Sequence, residues 1–161
     1  MIGIHDPSLL DALEKLETPW KGLVWRQVIG QTDPLRPNAR GARWNPPETE
    51  ALYCSLSESG AQLELVSMLE RQPVKVRKAL RTHQLRVDVR RSADLRSGAL
   101  ADVGYENHIL IADDWSVPQR MEAAAAWLGL AALIVPSARH DAGNIVLFVS
   151  ELSPSDLVEP A

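Results

Sequence analysis

The apolar residues of the chain follow helical spacing in some segments and strand spacing in others. Leucines three or four positions apart predict a helix over residues 8–16. Asp6 can cap that helix and Pro7 can start it, because a carboxylate accepts from free backbone N–H groups and proline suits the first turn. Residues 22–30 alternate as a strand does, and one of its sides carries Val24, Arg26 and Val28.

The next third of the chain predicts a loop, a strand, a helix and another strand. Residues 31–47 hold four prolines and predict a structured loop, and residues 51–57 predict a strand. Ser57 can cap a helix that runs to about residue 71. The residues of this helix expected to face inward are Ala61, Leu65, Met68 and Leu69. A third strand is predicted over residues 84–90.

Beyond an irregular middle, the pattern predicts one more helix and two strands. Ser116 is expected to cap the helix, and Gly129 to end it. Strands follow over residues 131–137 and 144–150, joined by a polar loop. Because strands and helices do not alternate regularly, the chain predicts an α+β fold rather than a doubly wound sheet.

Composition excludes several classes of protein. A chain of 161 residues fits a single domain, residues 1–161, and its net charge of −4 argues against a surface built throughout to bind nucleic acid. The single cysteine, Cys54, allows no internal disulfide and lies in an apolar stretch. The longest apolar run, residues 123–135, is shorter than the roughly 20 residues that cross a bilayer. With no secretory signal visible, we expect a cytoplasmic protein without membrane contact.

Glu64 is out of place in the apolar stripe of its predicted helix, three residues after Ala61 and one before Leu65. Burying an unpaired carboxylate is costly, so a cation, hydrogen-bond donors or a cavity must lie beside it. One interpretation is a buried ion pair. The other is a carboxylate in a cleft that stabilises positive charge developing on a substrate.

Two arginines and a tryptophan raise the same choice between structure and function. Arg26 faces inward if the valines beside it are core, and it could pair with Glu64 or hold a phosphate through its planar fork of donors. Arg43 and Trp44 lie in the proline-rich loop. They either pin that loop by packing or supply a second phosphate contact and a rigid wall.

Three further residues carry polar groups at the ends or faces of strands. Tyr53 is either a core tyrosine or an aromatic face for a heterocycle. Ser137 ends one strand and Asn144 opens the next, positions where both residue types also favour turns. The four histidines are scattered without metal-ligand spacing, so no metal site is expected.

Taken together, these segments resemble the RES domain, a family of bacterial toxins named for its Arg, Glu and Ser. The similar segments, in family order, are VWRQV, GARWNPPETEALYCS, AQLE, WSVPQRMEAAAAWLGL and IVPSARHDAGNIVLF. They span about residues 24–148, most of the chain. One departure is Glu48, at a position where glycine is common in the family.

The resemblance implies a fold similar to that of ADP-ribosyltransferases, with small mixed or antiparallel sheets and flanking helices. It implies NAD⁺ as the substrate, cleaved at the nicotinamide–ribose bond. In this interpretation Glu64 stabilises the positive charge on the ribose. The other assigned residues are Arg26 and Arg43 on the pyrophosphate or ribose side, Tyr53 against nicotinamide, Ser137 in positioning, Trp44 in the wall, and Asn144 among the residues that bind NAD⁺.

The resemblance also implies partners. It predicts an antitoxin with an Xre-type helix-turn-helix domain that blocks the active site, and it allows a homodimer within the toxin–antitoxin complex. ADP-ribose could pass to water, to phosphate or to a side chain of a target protein, and the sequence leaves these three acceptors open.

A different function is suggested by residues 71–96, which hold nine of the 17 basic residues. This basic stretch could bind nucleic acid, form an ordinary solvated face, or dock an acidic antitoxin surface. It contains no aromatic residue to stack on bases, which weakens the first alternative. A protein that binds partners without turnover is a further alternative.

Overall fold

The computed structural model describes residues 6–70 and 80–161. In these residues the helices are α1 (Pro7–Leu16), α2 (Glu58–Glu70), α3 (Asn107–Leu110) and α4 (Ser116–Leu128), with short 3-10 turns at Ala101–Val103 and Val149–Glu151. The strands are β1 (Glu17–Ile29), β2 (Ala51–Ser55), β3 (Leu80–Asp94), β4 (Ala132–Val135), β5 (Asn144–Phe148) and β6 (Leu157–Pro160).

The described strands form one mixed sheet that closes on itself. Their order is β1-β2-β5-β4-β3-β6, and β1 also pairs with β3. The β3–β4 pair is parallel, whereas the other pairs are antiparallel. This α+β architecture agrees with the predicted fold class, although the strands belong to one sheet rather than to several small ones.

Alternation along the strands divides the apolar residues into two cores. The inner core fills the closed sheet, and its fully or nearly buried members are Val24, Leu52, Cys54, Leu85, Val87, Val89, Ala132, Ile134, Ile145 and Leu147. The outer core lies between the opposite strand faces and helices α1 and α4, with members that include Leu9, Leu13, Trp44, Met121, Ala125, Leu133, Val146 and Phe148. Most buried apolar residues of the strands therefore belong to one core or the other.

The sheet is unevenly closed at strand β1. On one side, β1 pairs with β3 along its length, from Glu17↔Ala93 to Ile29↔Leu80. On the other side, β1 pairs with β2 only at Trp25↔Ser55. The two strands therefore separate on either side of this position and leave an open seam, which we call the β1–β2 seam.

Most predicted elements are present, with two kinds of difference. Strands β1 and β3 extend well beyond the predicted residues 22–30 and 84–90, and α3 and β6 were not predicted. The predicted cap of α4 is wrong: Ser116 is the first residue of the helix, and its N–H donates to the Asp114 carboxylate at 2.9 Å. The acceptor is therefore two residues earlier than predicted. The Met68 side chain and residue 71 lie outside the described residues.

Glu48 adopts a backbone conformation that explains the glycine found at this position in the family that the sequence resembles. Its φ is 75°, in the left-handed region where a Cβ crowds the backbone and glycine is unstrained. The turn nevertheless forms here, because the Glu48 N–H donates to the Ala39 carbonyl at 2.8 Å. The departure from glycine thus leaves the turn in place at a cost of about 1–2 kcal/mol.

Helix α4 buries a carboxylate that the sequence pattern did not single out. Glu122 is 5% exposed. Burial, and to a lesser degree the negative charge of Glu151, raises the pKa of Glu122 from 4.5 to about 7. Its ionised form is therefore disfavoured in the folded protein.

This carboxylate should make stability depend on pH. The unfolded side chain ionises near pH 4.5 and the folded one near 7, so the folded state holds the extra proton between these values. Stability should fall as pH rises through that window. Glu122→Gln should raise the free energy of unfolding by about 1–3 kcal/mol at pH 8 and change it little below pH 4.5.

Urea unfolding of both proteins at pH 4.5 and pH 8 measures this difference, with the exposed Glu70→Gln as the matched control. An equal effect of Glu122→Gln at the two pH values would show that the burial of Glu122 carries no ionisation cost.

Candidate functional site

A cavity of about 380 Å³ opens in the β1–β2 seam. Helix α2 and the proline-rich loop cover it. Its lining residues are Trp25, Arg26 and Gln27 from β1, Tyr53, Cys54 and Ser55 from β2, Ala61, Glu64 and Leu65 from α2, and Asn38, Ala42 and Asn144. The cavity thus exists because β1 and β2 separate.

Glu64 presents a fixed carboxylate to this cavity. Its Oε1 accepts hydrogen bonds from the Ser137 hydroxyl and, at 3.1 Å, from the Asn144 Nδ2. The His140 Nε2 lies 3.4 Å from the same oxygen. Within the described residues Oε2 has no hydrogen-bond partner, and the side chain is 35% exposed. One oxygen is therefore held while the other is available to a ligand.

The β4–β5 connection brings these donors to Glu64. Ser137 follows β4 and Asn144 opens β5, and the two strands pair at Val135↔Asn144. Asn144 also pairs with Ser55 at the end of β2, immediately before α2 begins. Because α2 starts there, Glu64 in its second turn faces the end of the β4–β5 hairpin. We call Glu64, Ser137, His140 and Asn144 the Glu64 cluster.

A second cavity, of about 540 Å³, borders this cluster at Ser137 and His140. Its lining residues are Asp94, Arg96, Ser97, Asn107, Ile111, Pro136, Ser137, His140 and Asp141. The Arg96 guanidinium is held by the Asp94 carboxylate at 2.7 and 3.0 Å and donates to the Ala142 carbonyl. The Glu64 cluster therefore stands between two cavities.

Arg26 lies in the seam cavity but does not pair with Glu64. Its guanidinium donates to the Tyr53 carbonyl at 2.8 Å and to the Arg36 carbonyl at 2.9 Å. No carboxylate of the described residues lies within ion-pair distance, so the predicted Arg26–Glu64 pair is wrong. Burial lowers the pKa of Arg26, and the nearby Cys54 opposes this effect. Arg26 joins β1, β2 and the proline-rich loop where backbone pairing is missing.

Tyr53 forms part of the cavity wall, but its ring packs against the outer core. Its hydroxyl donates to the Asn45 Oδ1 at 2.5 Å and accepts from the Trp44 N–H at 3.0 Å. Burial raises the pKa of this hydroxyl. The side chain thus anchors the proline-rich loop, and this arrangement does not favour the predicted stack against a heterocycle.

The two remaining loop residues are not in the cavity wall. Arg43 donates to the carbonyls of Leu110 and Ala112 at the end of α3. Trp44 is 2% exposed and belongs to the outer core. In this structure both residues pin the loop, as the structural alternative predicted, and neither lines the seam cavity.

Two further residues lie at or beside the seam cavity. Burial raises the pKa of the Cys54 thiol to about 12, which agrees with its interpretation as a small buried hydrophobic residue. His140 lacks metal-ligand spacing and so attracts no attention in the sequence, yet its side chain is 5% exposed beside Glu64. Its place between Ser137 and Asn144 in the loop was the signal that could have found it.

Three of the five arginines in the described part of the basic stretch, residues 80–96, form ion pairs with nearby carboxylates. Arg86 pairs with Glu159, Arg91 with Glu17, and Arg96 with Asp94. Arg90 contacts the Ser155 hydroxyl, and Arg81 is exposed. The remaining four basic residues, Arg71, Lys75, Arg77 and Lys78, lie outside the described residues. The described arginines therefore give no particular support to the nucleic-acid alternative.

No group of three His, Cys, Asp or Glu side chains among the described residues is arranged to hold a metal ion. None of the helices in residues 6–70 and 80–161 has the length and apolar character that a membrane crossing needs.

Comparison with known protein families identifies the family to which the chain belongs. The RES domain pattern matches residues 21–159, a longer segment than the predicted 24–148. The chain belongs to the RES domain family. No protein of curated function matches it in sequence. Its fold is similar to that of a chain in the crystal structure of the MbcT–MbcA toxin–antitoxin complex of M. tuberculosis, with a TM-score of 0.83 and 24% identity over 97% of this chain and 90% of that one.

In this RES domain, Arg26 should contribute to stability through its two carbonyl contacts. Arg26→Met retains much of the apolar bulk but leaves the Tyr53 and Arg36 carbonyls without their donor. We expect the free energy of unfolding to fall by about 2–4 kcal/mol, measured by urea unfolding.

The matched control is Arg81→Met, an exposed arginine on β3. It should change stability by less than about 0.5 kcal/mol. Equal stability of the Arg26→Met and wild-type proteins would show that water replaces the guanidinium without cost.

Proposed function

We propose that this RES domain is the toxin of a toxin–antitoxin pair and that it cleaves NAD⁺ at the nicotinamide–ribose bond. The observation that carries the proposal is the Glu64 carboxylate, fixed through Oε1 and open through Oε2, at the wall of a cavity. Family membership and the fold shared with a chain of a toxin–antitoxin complex support it.

The chemistry requires a stationary negative charge beside the ribose. When the C–N bond to nicotinamide breaks, its electron pair leaves with nicotinamide, and positive charge develops on the ribose carbon and ring oxygen. Glu64 Oε2 would accept a hydrogen bond from a ribose hydroxyl and stabilise that charge without moving. Because nicotinamide leaves as a neutral molecule, no general acid is needed.

The other residues would support this carboxylate. Ser137 and Asn144 donate to Glu64 Oε1, so they fix the carboxylate and need not contact substrate themselves. Arg26 would keep the seam open and place positive charge beside the pyrophosphate or ribose. Arg43, Trp44 and Tyr53 would act by holding the proline-rich loop over the cavity.

The acceptor would approach from the side opposite nicotinamide. The second cavity borders the Glu64 cluster through Ser137 and His140 and is large enough for water, phosphate or a protein side chain. All three acceptors fit the proposal, and a protein acceptor would make the enzyme an ADP-ribosyltransferase. NAD⁺ serves as the substrate throughout, and no metal takes part in these steps.

NAD⁺ cleavage predicts a direct test. Purified protein mixed with NAD⁺, with and without phosphate, should release nicotinamide that NMR can follow. Glu64→Gln keeps the size of the side chain but removes its charge, and we expect release to fall at least about 100-fold. Glu70→Gln, on the exposed end of the same helix, is the matched control and should retain wild-type release.

The product on the ribose side names the acceptor. A phosphorylated sugar means phosphorolysis, ADP-ribose means hydrolysis, and release only with cell lysate means a protein acceptor. If neither purified protein nor protein with lysate consumes NAD⁺, the proposed activity is wrong.

The toxin role predicts an effect on growth. Expression of the wild-type chain should arrest bacterial growth, and Glu64→Gln should not. Coexpression of an Xre-type helix-turn-helix partner should restore growth and form a complex whose mass, measured by light scattering, gives its stoichiometry and any homodimer. Growth arrest by the well-folded Glu64→Gln variant would show that toxicity does not depend on this carboxylate.

A further inference from the structure

We propose that His140 is a positioning residue, which orients the Asn144 amide and the Glu64 carboxylate through its Nε2–H. The expected effect on kinetics rests on the proposed function. The geometry of the His140 contacts does not depend on that function. The His140 Nε2 lies 3.2 Å from the Asn144 Oδ1 and 3.4 Å from the Glu64 Oε1. Both neighbours are oxygen acceptors.

These contacts assign the proton on the His140 ring. Nε2 faces the Glu64 carboxylate oxygen, which can only accept whichever way the Asn144 amide points, so Nε2 must carry the hydrogen. Nδ1 is buried and has no hydrogen-bond partner within the described residues. A proton on Nδ1 would be a buried donor without an acceptor, which is unfavourable. The geometry therefore places a hydrogen on Nε2, where it has acceptors, and offers no acceptor among the described residues to a proton on Nδ1.

The proton on Nε2 determines which way the Asn144 amide points. With Oδ1 turned toward His140, the Nδ2 of the same amide is turned toward Glu64 Oε1 and donates to it. Rotation of the amide by 180° would place two oxygens against each other at Glu64 and a donor against the Nε2–H of His140. His140 thus excludes the amide orientation that repels the carboxylate.

The first turn of helix α2 packs closely against the His140 ring. A Cβ added at Gly60 would lie 2.6 Å from the His140 Cε1, 2.7 Å from its Nδ1 and 2.5 Å from the Ser55 Oγ. Gly60 belongs to the helix and needs no unusual backbone angle, so its requirement is for space. The absence of a side chain at Gly60 allows the imidazole to lie flush against the first turn of the helix that carries Glu64.

Two variants of His140 separate its hydrogen bond from its packing. His140→Phe keeps a ring in this space but removes the donor, and we expect kcat for nicotinamide release to fall about 10- to 100-fold with KM changed less than threefold. His140→Gln places an amide N–H near the position of Nε2 and should recover most of kcat. Equal rates for the Phe variant and the wild type would overturn the proposal, as would equal losses in the two variants.

A spectroscopic measurement tests the same assignment without turnover. Nitrogen-15 NMR of the labelled wild-type protein should show a hydrogen on the His140 Nε2, identified by loss of its signals in His140→Gln. A bare Nε2, with the hydrogen on Nδ1, would contradict the assignment. If wild-type protein releases no nicotinamide even with cell lysate, the proposed function fails, and this measurement still decides the orientation of Asn144.

Gly60→Ala disturbs the ring from the other side. Alanine normally favours a helix over glycine by about 1 kcal/mol, so the change should not weaken α2 by itself. We expect a loss of kcat similar to that of His140→Phe. Unchanged kcat in a Gly60→Ala protein whose His140 NMR signals have shifted would show that the position of the ring has no influence on the carboxylate.

Discussion

Closure of the sheet is the constraint on which the rest of the structure depends. The long β1–β3 ladder closes five strands around an apolar interior, whereas β1 meets β2 at a single position. Unpaired backbone at such a gap must find other partners, and the Arg26 guanidinium supplies two of them. The same gap provides the cavity. The β1–β2 seam therefore affects both stability and ligand access, and Arg26 contributes to both.

The chemistry of the site follows from an asymmetry within one carboxylate. Oε1 of Glu64 is surrounded by donors, while Oε2 has none among the described residues. A carboxylate that keeps its orientation before, during and after a reaction loses no energy to reorganisation when charge develops nearby. The partly exposed Glu64 thus differs from Glu122, which is buried, has no comparable donors among the described residues and is disfavoured in its ionised form.

The sequence predicted properties that depend on local spacing and missed those that depend on pairing between strands. Helical spacing placed Glu64 on the inner face of α2, and strand alternation placed Arg26 inside the sheet. Their predicted ion pair was wrong because the β1–β2 seam brings carbonyls to Arg26 and the β4–β5 hairpin brings donors to Glu64. His140 was missed for the same reason, since only the register at Asn144 brings its loop beside α2. The sequence suggested that Trp44 forms a cavity wall, but its ring is buried in the outer core.

The β4–β5 hairpin loop has a consequence for how such a protein can diverge. Ser137, His140 and Asn144 lie within eight consecutive residues, whereas Glu64 comes from a distant helix on a separately stabilised frame. Insertions or exchanges within this loop can alter the surroundings of the carboxylate as a unit, without repacking either core. Related chains could therefore acquire different acceptors or rates by replacing one short segment, while the closed sheet and the helix that carries the carboxylate stay the same.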